Sequence, residues 1–234
     1  MSQSVESVYN LANFYIRHAA GQPTPQATDL GTAHDIQTRS GLPWLPLQLP
    51  FPLPYEAMLT EAQNLREHFI PHRSNKEAHR NWYSLCLHGL SSVHTGPRER
   101  YNTDLPYDWT DICKFCPVTQ GFFRNVFGYQ SYARVRFMLL EGGGYILPHR
   151  DSTVDELTAI NIALNTPADC DFVMEDAGTV PLTTGKAVML SLSRQHIVWN
   201  RSTEDRYHII VHGQRDPIVW DDIILDSAKA HYGL

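Results

Sequence analysis

From Gly128 onward the hydrophobic pattern repeats every two residues, and this limits the possible folds more than any other feature of the chain. Val135, Phe137 and Leu139 alternate with Arg134, Arg136, Met138 and Leu140. Further short runs follow at 157–164, 170–174, 186–192, 196–200 and 206–212. Turn-forming residues separate them: Asn165-Thr166-Pro167, Thr184-Gly185 and Arg201-Ser202-Thr203-Glu204-Asp205. Gly142-Gly143-Gly144 is read in the same way, as a tight turn joining two strands rather than a phosphate loop, because no helix follows it. Short strands spaced by turns predict an antiparallel β-sandwich or barrel.

The N-terminal half follows a different period. Val5, Val8, Leu11, Ala12 and Tyr15 predict a helix over 2–20, and Met58, Leu59, Ala62, Leu65 and Phe69 predict another over 55–70. Between them, seven of the 15 prolines fall within 22–54. The polar part, to Ser40, is read as a mobile arm, and the apolar part, with Trp44, Leu45, Leu47, Leu49, Phe51 and Leu53, as an extended segment packed on the core. Trp82–Leu87 is a strand candidate. The stretch 110–127 is partly helical, interrupted by Pro117 and Gly121. The expected organisation is one domain over 55–234 with residues 1–54 as an extension of it.

Composition removes several function classes. At 42% hydrophobic and 19% charged, the chain is too apolar for disorder, and no apolar run is long enough to span a bilayer. A net charge of -6 without a basic stripe argues against nucleic acid or anionic membrane as partner. Four cysteines are too few for a disulfide scaffold, and Glu6 stands where a signal peptide carries positive charge. Cytoplasmic residence is expected.

Twelve histidines permit a metal site, and spacing selects among them. His149 and Asp151 are two residues apart, so both can reach one ion from one strand end. His196 supplies a second imidazole. Two imidazoles and a carboxylate occupy one face of an octahedral metal and leave three positions open, the ligand set suited to non-haem Fe(II). Arg206, ten residues further on, offers a guanidinium that forks onto a carboxylate, and on a strand it shares a face with His208, Ile210 and His212. His208 and His212 lack ligand spacing and are read as structural or supporting. Ile160, Ile162, Leu164, Val188, Leu190 and Leu192 offer apolar walls for a dry pocket.

Two blocks then carry a family resemblance. Arg136-Phe137-Met138-Leu139-Leu140-Glu141-Gly142-Gly143-Gly144-Tyr145-Ile146-Leu147-Pro148-His149, and His196-Ile197-Val198-Trp199-Asn200-Arg201-Ser202 with Arg206, resemble the metal-ligand regions of the aspartyl/asparaginyl β-hydroxylase family. Asn81-Trp82 also resembles a family element. The resemblance implies a mainly β fold with helices: a double-stranded β-helix, the jelly-roll or cupin-like core, flanked by N-terminal helices. It implies a dioxygenase that uses Fe(II), 2-oxoglutarate and O2 to hydroxylate an amino acid, free or in a peptide or protein, releasing succinate and CO2. By position, His149, Asp151 and His196 are the implied iron ligands. Arg206 is the implied anchor of the 2-oxoglutarate distal carboxylate, with Met138 and Asn161 lining that pocket. Arg80 and Trp82 precede the core as a substrate wall, and Arg134 or Arg136 can face the pocket and grip a substrate carboxylate. Two alternatives stay open: a cupin-type metal dioxygenase that does not use 2-oxoglutarate, and a non-catalytic jelly-roll binding module.

Other features read more plainly. Cys113-x-x-Cys116 has no second pair at matching distance and is a buried-thiol pair rather than a zinc site. His72, Arg73, His79, His88 and His94 are read as loop and packing residues, or as part of the substrate wall. Oligomeric state has no signal in the sequence.

Overall fold

The structure is a computed structural model and describes residues 3–18, 23–27, 29–72, 79–93 and 106–234. The first helix forms as α1 (Gln3–His18), with Leu11 and Phe14 buried. The expected mobile arm instead contains a second helix, α2 (Ala33–Arg39). Thr32 caps it by accepting from the Asp35 amide, and Ile36 is buried in the core. Seven residues are too few for an apolar spacing to repeat, so this helix leaves no periodic signal. The apolar proline-rich segment is extended and enters the sheet as β1 (Trp44–Leu47), an edge strand, where Pro46 is tolerated.

The second predicted helix ends earlier than expected: α3 (Tyr55–Asn64) gives way to a 3-10 turn over Arg66–His68 and the short β2 (Ile70–Pro71). Next come β3 (His79–Gly89), β4 (Asp108–Trp109), a 3-10 turn over Asp111–Phe115 and α4 (Pro117–Asn125). The Glu61 carboxylate accepts from the Val118 and Thr119 amides at the start of α4 (2.8 and 2.9 Å) and so ties α3 to it.

The β half is built on β5 (Tyr129–His149), a single strand of 21 residues. This corrects the expected turn at Gly142-Gly143-Gly144, where the chain does not reverse. Residue 140 of β5 pairs with Trp82 and residue 145 with Arg80, so four residues of β5 stand opposite one residue of β3. This is a bulge of the larger, special kind, which bends the strand. Gly143 takes φ +71 there, and a Cβ on Gly144 would meet the Glu141 and Arg80 carbonyl oxygens at 2.8 and 2.9 Å.

The remaining strands are β6 (Leu157–Ala163), β7 (Cys170–Met174), β8 (Gly178–Thr179), β9 (Ala187–Ser191), β10 (His196–Asn200) and β11 (Arg206–Arg215). They form one path, β1-β9-β6-β11-β5-β10-β7-β8, with antiparallel pairing throughout. The bulge divides that path. Before it β5 pairs with β11, and after it with β10. Two sheets result, β9-β6-β11-β5 and β5-β10-β7-β8, sharing one bent strand. This is the double-stranded β-helix.

Three apolar layers follow. Phe137, Leu139, Ile160, Ile162, Met189, Ile209 and Val211 face the helices together with Ile36, Met58, Phe123 and Trp220. Met138, Leu140, Ile146, Val188, Leu190 and Val198 fill the space between the sheets. Tyr145, Val173 and Ile197 lie beneath α1. The expected pocket walls are therefore split. Val188, Leu190 and Leu192 face the inter-sheet space, whereas Ile160, Ile162 and Leu164 face the helices. Alternation makes this unavoidable, since Ala159 and Asn161 take the inner face of β6. A last helix, α5 (Pro217–Tyr232), is absent from the sequence expectations although its signals are present: Asp216 caps it, Pro217 opens it, and Gly233 closes it at φ +71.

Candidate active site

His149 is the last residue of β5 and His196 the first of β10, and the two are paired in register. Asp151 lies just past the strand end. Its amide and that of Ser152 donate to the Leu192 carbonyl at 3.0 and 3.2 Å, which turns the loop back over the pair. Asp151 Oδ2 is 3.7 Å from the Nε2 atoms of both histidines. One donor atom from each residue lies within 4.8 Å of the others, and among the described residues no other group of three such side chains converges.

The imidazole orientations are set from behind. His149 Nδ1 bonds the Leu147 carbonyl at 2.8 Å and His196 Nδ1 the Arg194 carbonyl at 2.9 Å. A carbonyl oxygen only accepts, so each Nδ1 carries a proton and Nε2 is the ring nitrogen that faces Asp151. Burial pushes the His196 pKa down and keeps the ring in its neutral, ligating form. Two imidazoles and a carboxylate with these orientations fit a metal ion that prefers nitrogen and oxygen donors.

A second group lines the space between the sheets. The rows Trp82–Leu140–Arg206, Ser84–Met138–His208 and Cys86–Arg136–Ile210–Asn161 run across β3, β5, β11 and β6. Cross-strand partners share a face, and Leu140, Met138 and Ile210 all pack in the inter-sheet cluster, so these rows point inward. Arg206 is 3% exposed and has no ion pair among the described residues. Burial pushes its pKa down, and the Cys170 thiol partly offsets this. Its Nη2 has no hydrogen-bond partner among the described residues. An enclosed guanidinium without a counter-charge is costly, and a carboxylate ligand would remove that cost. Met138 and Asn161 are buried on the same face.

The substrate-wall candidates separate. The Trp82 ring lies 6.4 Å from that of His149. Arg80 is exposed and pairs with Tyr145, whose side chain packs beneath α1, so the structure does not bring it to the triad. Asn81, at φ +57, turns the strand, and His79 takes the inner position, its ring 5.6 Å from His149 and 5.0 Å from Trp82. The alternation of a regular strand would not reveal this swap. Arg134 and Arg136 are both buried on the inward face. His72 is buried as well, bonded to Ser84 Oγ at 2.8 Å, its ring tilted against that of Trp82 at 4.1 Å. Arg73 and His94 lie outside the described residues. Cys113 and Cys116 are buried free thiols, as expected.

A family profile described as aspartyl/asparaginyl β-hydroxylase matches residues 54–216, more than half of the chain. The chain belongs to the aspartyl/asparaginyl β-hydroxylase family. It is accordingly a hydroxylase of the class that uses Fe(II), 2-oxoglutarate and O2, and the donor set fits that metal. Among solved structures, a 2-oxoglutarate–Fe(II) oxygenase-family oxidoreductase from Burkholderia pseudomallei aligns at 12% identity and TM-score 0.48, over 84% of this chain and 100% of that one. A prolyl-4-hydroxylase from Pseudomonas putida aligns at 15% identity and TM-score 0.44, over 79% and 97%. A prolyl hydroxylase from Trichoplax adhaerens, in complex with a hypoxia-inducible-factor peptide fragment, aligns at 8% and TM-score 0.47, over 78% and 87%. Likenesses of this size do not carry function from one chain to another. No curated protein sequence matches the chain. No helix among the described residues is long and apolar enough to cross a membrane.

Proposed function

We propose that His149, Asp151 and His196 hold Fe(II) and that Arg206 anchors the distal carboxylate of 2-oxoglutarate, with Met138 and Asn161 lining its path, for hydroxylation of an amino acid, free or within a peptide. The observation that carries this reading is the convergence of the two Nε2 atoms on Asp151. With its cosubstrates bound, the metal supplies the oxidising power for inserting oxygen into a C–H bond, with release of succinate and CO2. The chain's own residues position and shield. Leu147 and Arg194 carbonyls aim the imidazoles, Leu140 and Val198 exclude water from the inter-sheet space, and Trp82 and His79 form the wall beside His149. Arg134 or Arg136, both buried on the same inner face, grips a substrate carboxylate in this reading. Four free cysteines suit the reducing cytoplasm, where we place the enzyme.

The test is anaerobic loading with Fe(II) and 2-oxoglutarate, then exposure to oxygen with a panel of amino acids and peptides, scored by a mass gain of one oxygen atom and by succinate formed. His149→Ala and His196→Ala each weaken Mn(II) binding by more than about a hundredfold, since even outer-shell partners are worth ten- to a hundredfold. Arg206→Ala leaves metal affinity in place and weakens 2-oxoglutarate binding. A fully active His196→Ala enzyme would sink the assignment, and turnover indifferent to 2-oxoglutarate would favour a cupin-type dioxygenase.

A further inference from the structure

Arg206 and His208 are alternate residues of β11 and project into the same inter-sheet space. His208 lies between Met138 on one side and Ala163 on the other, with Ser84 beyond Met138. The two residues are 3% and 5% exposed. Arg206 Nη2 and His208 Nδ1 are both buried without a hydrogen-bond partner among the described residues. One such atom is costly, and two on neighbouring side chains mark a place where a polar ligand completes the structure. Burial, the Arg206 charge and His72 all push the His208 pKa well down, so the ring is neutral and offers one N–H donor.

We propose that His208 is a second binding residue for the cosubstrate, its ring N–H donating to the distal carboxylate that Arg206 grips. This rests on the reading of Arg206 given above. A carboxylate has about four lone-pair sites, enough for a guanidinium on one edge and an imidazole N–H on another. A neutral ring also avoids placing a second cation against the guanidinium, so the pair can stay buried when no anion is bound. A plain apolar neighbour would leave the guanidinium as the sole partner. The imidazole adds direction and favours a ligand whose carboxylate sits at the far end of the chelating chain.

Calorimetric titration of the Mn(II)-loaded protein with 2-oxoglutarate and, separately, with pyruvate reads this directly, because pyruvate chelates in the same way but has no distal carboxylate. His208→Leu is expected to weaken 2-oxoglutarate about ten- to a hundredfold and to leave pyruvate unchanged, the range for a hydrogen bond to a charged group. His208→Gln, which keeps an N–H donor, is expected to recover most of the loss. Wild-type 2-oxoglutarate affinity in a folded His208→Leu protein, with Arg206→Leu impaired, would overturn the role of His208 and leave that of Arg206 standing. Wild-type affinity in Arg206→Leu would overturn the anchor itself. Should His208→Leu not fold, the native protein labelled with 15N-histidine answers the question. A buried ring N–H resonance shifts on adding 2-oxoglutarate but not pyruvate, and the absence of such a shift would count against the proposal.

Discussion

Two backbone carbonyls decide how His149 and His196 can act. By accepting from Nδ1, Leu147 and Arg194 fix the tautomer and leave Nε2 to face Asp151. The residue types and the two-residue offset were legible in the sequence, but the carbonyls that orient the rings were not, because a backbone group has no sequence signature. The same scale holds a pH prediction. His88 is buried against Trp109 and Tyr132, and burial brings its pKa down to about 4. The unfolded chain takes up a proton near pH 6.5 that the folded chain refuses until about 4. Stability from this group is therefore full above pH 6.5 and falls as pH drops toward 4. Melting temperature measured from pH 8 to 4.5 should fall less steeply in His88→Gln than in the native protein, and equal slopes would assign the acid sensitivity elsewhere.

At the scale of elements, the bulge of β5 does most to create the site. The Asn200 side chain donates to the Leu140, Glu141 and Glu204 carbonyls at 3.1, 3.2 and 2.7 Å, pinning the bulge to the turn between β10 and β11. A Cβ on Gly142 would lie 2.7 Å from the Thr203 carbonyl carbon and oxygen. Gly142→Ala is expected to cost about 1–3 kcal/mol in denaturant unfolding, the range for overpacking a closed contact. It should also weaken Mn(II) affinity, since the bend that carries His149 toward His196 starts there. Unchanged metal affinity would separate the bulge from the site. The sequence shows three glycines at this point, and a turn and a bulge use glycine for the same freedom of φ. What distinguishes them is whether the neighbouring strand continues, which for β5 means β3 on one edge and β11 then β10 on the other.

Across the whole molecule, the outer face of the larger sheet provides a rigid support that does not touch the site. Trp220 is fully buried there, its Nε1 donating to the Phe127 carbonyl at 2.9 Å and its ring against Phe127 and Tyr129. Trp220→Ala should cost about 3–5 kcal/mol, or roughly 6–20 °C in Tm for a chain of this size. Mn(II) affinity of the folded fraction is expected to stay native, because the ligands lie on the other sheet. A parallel loss of metal binding at temperatures well below Tm would show that the two layers are coupled.

The sequence by itself singled out most strands of the C-terminal half, the candidate triad of His149, Asp151 and His196, and Arg206 as a guanidinium on the same strand face as His208 and Ile210. Each of these is a local matter: a period of two says which residues share a face, and a two-residue offset says which side chains leave a strand end together. The tertiary structure decided which face is the inside and what stands across it. It put His79 rather than Arg80 beside His149, set Ile160 and Ile162 toward the helices while Asn161 turned inward, and drew α2 out of a proline-rich stretch. The reason is that facing depends on register and on where a strand bends. Both are settled by partners distant in the sequence, and a bulge of a few residues is enough to reassign them.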